Sequence, residues 1–145
     1  MQLEIFNKEL VQEIEPMFNI SFDEIYSGYI EIFKSTDIKD INIVFVSSEY
    51  IRELNEKYRH IDSPTDVLSF PISNDNRSGE IYISPEYVFE NFNGDEFEEE
   101  ILRLIIHGTL HILGYDHKES LEDSPNEEMF KLQEELLLKY KKICF

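Results

Sequence analysis

The chain has 145 residues, the length of one domain, and a chain that long buries roughly 70% of the surface its unfolded form exposes. Its hydrophobic content of 41% and aromatic content of 13% supply a core and exclude a chain disordered throughout. Thirteen Lys and Arg against 31 Asp and Glu leave a net charge of −18, which opposes non-specific adhesion to nucleic acid and favours basic protein surfaces. No apolar run approaches the ~20 residues of a membrane span. The first residues lack the basic-then-apolar pattern of a secretion signal. Cys144 is the only cysteine, reads as an incidental tail residue and has no internal disulfide partner. A cytoplasmic protein is expected.

No internal repeat or low-complexity linker interrupts the chain, and short strand-type stretches alternate with longer helical ones. Leu3, Ile5 and Phe6 suggest a first strand. Ser21 and Glu24 form a capping box ahead of Phe22, Ile25, Tyr29 and Ile32 at helical spacing, which predicts a helix over 22–34. Residues 41–46 are rich in β-branched side chains and read as a buried strand. Ser48 is placed to cap a helix carrying Ile51, Leu54 and Tyr58 on one face. Residues 59–66, with Pro64, read as a loop, and 67–70 as a short strand. Turn chemistry over 73–79 and a strand over 80–83 complete a hairpin. Ser84, Pro85 and Glu86 open a helix, and Asn93, Gly94 and Asp95 interrupt it. A strong helix is expected over 96–113, with Phe97, Ile101, Leu104, Ile105 and Ile112 as core residues and Gly114 as its stop. The last helix begins at Ser124 and Pro125 with Glu127 in its first turn, and Lys139, Lys141 and Lys142 complement its negative end.

Three of the four histidines fall within eleven residues: His107, His111 and His117. The first two are four apart on a helix, so their imidazoles project from one face a turn apart. Gly114 suits the left-handed conformation that ends a helix and returns the chain, which would swing His117 back toward them. Three neutral nitrogen donors with a fourth position open to water form a catalytic zinc site. Zinc, one ion per chain, is favoured by imidazole donors, with Fe, Ni and Co as the other divalent choices. The spacing is that of the metzincin proteases, but their general-base glutamate is replaced by Gly108, which disfavours peptide hydrolysis and leaves room beside the metal for a bulky substrate. Asp116 is a candidate hydrogen-bond acceptor behind a ligand, or a helix-exit turn residue. His60 lies outside the spacing and reads as a loop residue.

The histidine stretch, together with Leu54-Asn55-Glu56-Lys57-Tyr58-Arg59, the stretch from Asp62 to Pro71, and Gly79-Glu80-Ile81-Tyr82-Ile83-Ser84, closely resembles the YbeY family. The resemblance covers about residues 41–138. It implies an α+β single domain in which a small mixed sheet of about four strands packs with about five helices, the histidine motif lying on a central helix. It also implies a bacterial, cytoplasmic, zinc-dependent, single-strand-specific endoribonuclease of ribosomal RNA maturation. Its expected work is 16S 3′-end processing and small-subunit quality control. The metal ligands would be His107, His111 and His117, with Arg59 and His107 as catalytic residues. The implied partners are precursor 16S rRNA, the small ribosomal subunit, and a ribosomal protein or assembly GTPase; DNA and membrane are not expected.

In that reading Arg59 pairs its guanidinium fork with phosphate oxygens, and either an activated water or the RNA 2′-hydroxyl is the nucleophile. Thr65, Asp66 and Ser69 line the cleft, or serve turn and strand-start hydrogen bonding. The rival readings are a ribosome-assembly adaptor with a structural metal and a zinc hydrolase acting on another substrate. Arg52, Lys57 and Arg59 cluster before the cleft loop, either as a solvated helix face or as a short phosphate track. The acidic balance then predicts local RNA contact with a shallow salt dependence and recruitment through a protein partner.

Overall fold

The computed structural model describes residues 1–14, 16, 21–91, 95–115 and 124–144. The expected break at Asn93 and Gly94, the residues Asp116 and His117, and the side chains of Asp95, Glu127 and Cys144 lie outside the described residues. The elements run β1 (Gln2–Phe6), α1 (Glu9–Ile14), α2 (Phe22–Ile32), β2 (Asp40–Phe45), α3 (Ser48–Arg59), β3 (Val67–Pro71), β4 (Ser78–Ile83), α4 (Pro85–Asn91), α5 (Asp95–Ile112) and α6 (Ser124–Cys144).

The four strands form one mixed sheet in the order β1-β2-β4-β3. β1, β2 and β4 run parallel, and β3 returns antiparallel along β4. The pleat sorts the side chains. Leu3, Ile41, Ile43, Phe45, Ile81 and Ile83 are buried on one face, where they meet Ile25, Tyr29, Ile101, Ile105 and Leu137 of the helices in a single core. On the opposite face Leu68 joins Val46 and Ile51 in a smaller cluster, with Phe70 and Tyr82 packed against it. The fold is α+β, as expected, with helices on both faces of a small sheet.

The local chemistry explains most boundaries. Ser21 Oγ accepts the Glu24 N–H at 3.0 Å and starts α2. α3 is capped one residue earlier than the sequence suggested. Ser47, in extended conformation, accepts the Tyr50 N–H at 3.1 Å. Ser48 is already helical, and its N–H goes to Glu86 Oε1 at 2.9 Å. α1, which makes six helices rather than five, was not anticipated. It buries Val11 and rests Leu10 and Ile14 against the core, but six residues carry too little of the helical pattern to be read from sequence.

On the core side α5 is the central helix. Thr109 donates to Ile105 O at 2.8 Å, and its Oγ1 lies 2.9 Å from the buried Tyr29 hydroxyl. The threonine's only proton is committed to Ile105, so Tyr29 is the donor, and burial pushes its own pKa up. This bond ties α2 to α5 on the side facing away from the histidines.

Candidate functional site

The site begins with how closely α5 approaches the sheet. A Cβ on Gly108 would sit 2.7 Å from Ile81 Cγ2, and one on Gly79 would sit 2.5 Å from Ile112 Cδ1 and 2.7 Å from the Phe70 carbonyl oxygen. Glycine at both positions lets the helix lie directly under β4. This corrects the reading of Gly108: the missing side chain admits the sheet and leaves no space for a substrate. With Gly108 turned to the sheet, His107 and His111 face the flank beside β3. Their ring centroids are 4.8 Å apart with planes at 72°.

The helix stops where expected, at Gly114, whose φ of +104° disfavours any residue with a Cβ. His107 Nδ1 lies 2.7 Å from Gln133 Oε1 of α6. Gln133 is only 6% exposed, and its Nε2 donates to Glu134 Oε2 at 3.1 Å. Arg103 holds Glu134 through Nε at 2.9 Å and Nη2 at 3.2 Å, and Glu100 through Nη1 at 2.6 Å. Burial raises the Glu100 pKa against the opposing pull of Arg103.

The opposite wall comes from α3 and the loop behind it. Arg59 is the last residue of α3, and His60 ends the helix in the left-handed conformation (φ +60°), its N–H returning to the Asn55 and Glu56 carbonyls. That capping role is what the structure gives His60, and it is filled without glycine. Asn55, buried on α3, donates from Nδ2 to Ser63 O at 2.9 Å and pins the loop. Arg52 is ion-paired with Asp62, and Lys57 stands over the Tyr58 ring at 5.2 Å. Of the basic trio, Arg59 is the one that reaches the cavity.

Asp66 closes the loop. Its Oδ1 accepts the Val67 N–H at 2.7 Å and the Thr65 hydroxyl at 3.3 Å, while its carbonyl takes the Ser84 N–H at 3.1 Å. The strand register pairs Ser69 with Ile81, which points Ser69 toward α5.

These walls enclose a cavity of about 370 Å³ lined by Arg59, Thr65, Asp66, Val67, Leu68, Ser69, His107 and His111. The structure therefore brings six sequence-derived candidates to one space from α3, the loop, β3 and α5. Thr65 and Asp66 do both things expected of them, since they bond the turn and also line the cavity. His117 and Asp116 fall outside the described residues, and among those residues no group of three His, Cys, Asp or Glu side chains is placed to hold a metal. Two imidazoles presented by one helix face into one cavity are the donor chemistry a borderline transition ion takes, and a third imidazole following the Gly114 turn would complete it.

Sequence reasoning missed Gln133. Its signal was present: Met129, Gln133, Leu137 and Tyr140 form the buried stripe of α6, and an amide on an apolar stripe needs a partner.

A sequence model of the family described as Endoribonuclease YbeY matches residues 4–141. The chain belongs to the YbeY family. A YbeY relative from Treponema denticola is 39% identical, covering 94% of this chain and 90% of its own. One from Acholeplasma laidlawii is 37% identical and covers 96% of each. A Thermotoga maritima relative is 47% identical over 96 residues, a match that spans only 62% of that relative's length. The solution structure of a Thermotoga maritima protein superposes with a TM-score of 0.64 at 34% identity, over 96% of this chain and 89% of that one. The YbeY motif residues recognised in the sequence thus stand on a YbeY-like fold. No helix among the described residues is long and apolar enough to cross a membrane.

Proposed function

We propose that the protein is a cytoplasmic, zinc-dependent endoribonuclease that cleaves single-stranded ribosomal RNA in 16S 3′-end maturation and small-subunit quality control. The observation that carries this reading is the convergence of Arg59 with His107 and His111 on one cavity of about 370 Å³. The name shared by its relatives, Endoribonuclease YbeY, supports the reaction class.

His107, His111 and His117 would hold the ion. When bound, zinc supplies Lewis-acid neutralisation of a phosphoryl oxygen and acidifies water. The remaining work belongs to the chain. Arg59 presents a planar fork that matches two phosphate oxygens and stabilises the charge gathering on them during in-line displacement. The backbone beneath it is fixed by the His60 cap and by the Asn55 bond to Ser63, so little reorganisation is needed as charge develops. The Ser69 hydroxyl provides a donor on the edge strand for the RNA backbone, while the Thr65 hydroxyl is spent on Asp66. Asp66 Oδ1 already accepts two bonds from its own turn, which fixes the carboxylate that lines the cavity. With −18 overall, recruitment falls to a ribosomal protein or assembly GTPase with a basic face, and the phosphates contacted are few.

The test uses purified protein, small-subunit precursor RNA, and the variants Arg59→Ala and His111→Ala. Loss of one transition-state donor predicts about a 10²–10³-fold fall in cleavage for Arg59→Ala with metal content unchanged. His111→Ala should lose both metal and cleavage. Equal cutting by wild type and both variants would assign the activity to a contaminant and end the reading. Cleavage that persists in metal-stripped protein would end its zinc dependence.

A further inference from the structure

We propose that Gln133 is a positioning residue that sets the tautomer of His107 and thereby decides which ring nitrogen carries the lone pair. One chain of hydrogen bonds leads from Arg103 through Glu134 and Gln133 to His107. The Glu134 carboxylate, gripped by two nitrogens of Arg103, only accepts hydrogen bonds when ionised. The Gln133 nitrogen donates to it at 3.1 Å, so the amide has one orientation, with Oε1 toward His107. That oxygen is an acceptor, and it lies 2.7 Å from His107 Nδ1. Nδ1 must therefore carry the hydrogen. In a neutral imidazole the other nitrogen, Nε2, then holds the lone pair.

Burial makes the arrangement binding. Gln133 is 6% exposed, and an amide turned the other way would set its oxygen against the Glu134 carboxylate, two acceptors with no hydrogen between them. A free imidazole in water prefers the opposite tautomer, with hydrogen on Nε2, so the selection opposes the ring's own tendency. Arg103 and Glu134 thus act on His107 without touching it.

The tautomer assignment stands independently of the metal reading; the consequence for affinity rests on that reading. A ligand whose second nitrogen is held by a hydrogen-bond partner typically loses about 10–100-fold in metal affinity when that partner is removed.

The imidazole nitrogens of metal-free protein are read by long-range ¹H–¹⁵N correlation spectra above the ordinary histidine pKa of about 6.5, with His107 assigned by its loss in His107→Ala. Wild type should show hydrogen on Nδ1. Gln133→Met keeps the side chain's length and removes the acceptor; its His107 should shift toward hydrogen on Nε2, with the zinc Kd, from chelator competition, rising about 10–100-fold. Gln133→Glu restores an acceptor and should return the Nδ1–H tautomer, with a Kd within about threefold of wild type, far from the loss expected of removing the partner. Hydrogen on Nε2 in wild type overturns the proposal without any variant. An unchanged spectrum and Kd in Gln133→Met overturn it as well. Wild type with hydrogen on Nδ1 that takes up no zinc supports the tautomer assignment and overturns the metal-site reading.

Discussion

Replacing Gly108 by alanine tests whether the close approach of α5 to the sheet is what places the histidines. The new Cβ would lie 2.7 Å from Ile81 Cγ2, 3.0 Å from Cγ1 and 3.1 Å from Cδ1. The first two atoms are bonded to Cβ of a β-branched side chain that is fully buried, so they move only with χ1 or with the strand itself. Overpacking of this kind costs about 1–3 kcal/mol, and alanine returns about 1 kcal/mol in helix propensity. The net expectation is a loss of about 1 kcal/mol, or roughly 2–5 °C in Tm for a chain this size. Urea unfolding followed by far-UV circular dichroism measures it. The deciding comparison is the Ile81→Ala background, which removes all three clashing atoms; there the same Gly108→Ala change should stabilise by about 1 kcal/mol. In Ile81→Val, which retains both γ carbons, the loss should persist. A Gly108→Ala protein more stable than wild type, or a coupling to Ile81→Ala under about 0.5 kcal/mol, would refute the reasoning. A glutamate at 108 would be driven into the same wall, so a protease-type base cannot be restored there by substitution alone.

Ser47→Ala should cost about 1 kcal/mol through loss of the α3 cap, measured by urea unfolding, while the cap bond itself survives Ser48→Ala. Gly114→Ala forces a side chain onto a φ of +104° and should cost about 1–3 kcal/mol of stability by the same measurement. The hydrogen bond from Lys141 Nζ to Glu99, at 2.6 Å, holds that carboxyl below its ordinary 4.5. Its stabilisation is therefore complete above that value and lost as pH falls through the lower folded-state pKa. Glu99→Gln should flatten the acid limb of a stability–pH curve, and Glu100→Gln should change it in the opposite sense, because burial raises the Glu100 pKa.

What could be read from the sequence was what short-range chemistry dictates. Ile41, Ile43, Ile81 and Ile83 announced buried strands by branching at Cβ, and the Ser84-Pro85 pair announced α4. The His107 and His111 spacing placed both rings on one face whatever the tertiary fold. The family motifs then drew Arg59, Thr65, Asp66 and Ser69 to the same space as the histidines. What stayed hidden depended on long-range packing. Gly108 looked like open room because its neighbour, Ile81, is 27 residues away in the chain. Ser48 looked like the cap because one-residue shifts are decided by backbone dihedrals, and Ser47 is the residue held extended. Gln133 stands on the apolar stripe of α6, but its partner His107 is 26 residues away and is met only where α6 packs on α5.

The cavity's two long walls are held by different contacts. α5 is fixed on one side by Gly108 against Ile81 and on another by Tyr29 through Thr109, so displacing the histidines would disrupt a packed contact and a buried hydrogen bond together. β3 is the edge of the sheet and, among the described residues, pairs with β4 as its one neighbouring strand. Moving it would break one ladder of five residues together with the packing of Leu68 and Phe70 against α3. The two walls therefore answer to different contacts. A change in the cluster under β3 is felt at Ser69, and a change at Gly108 or Tyr29 is felt at the histidines.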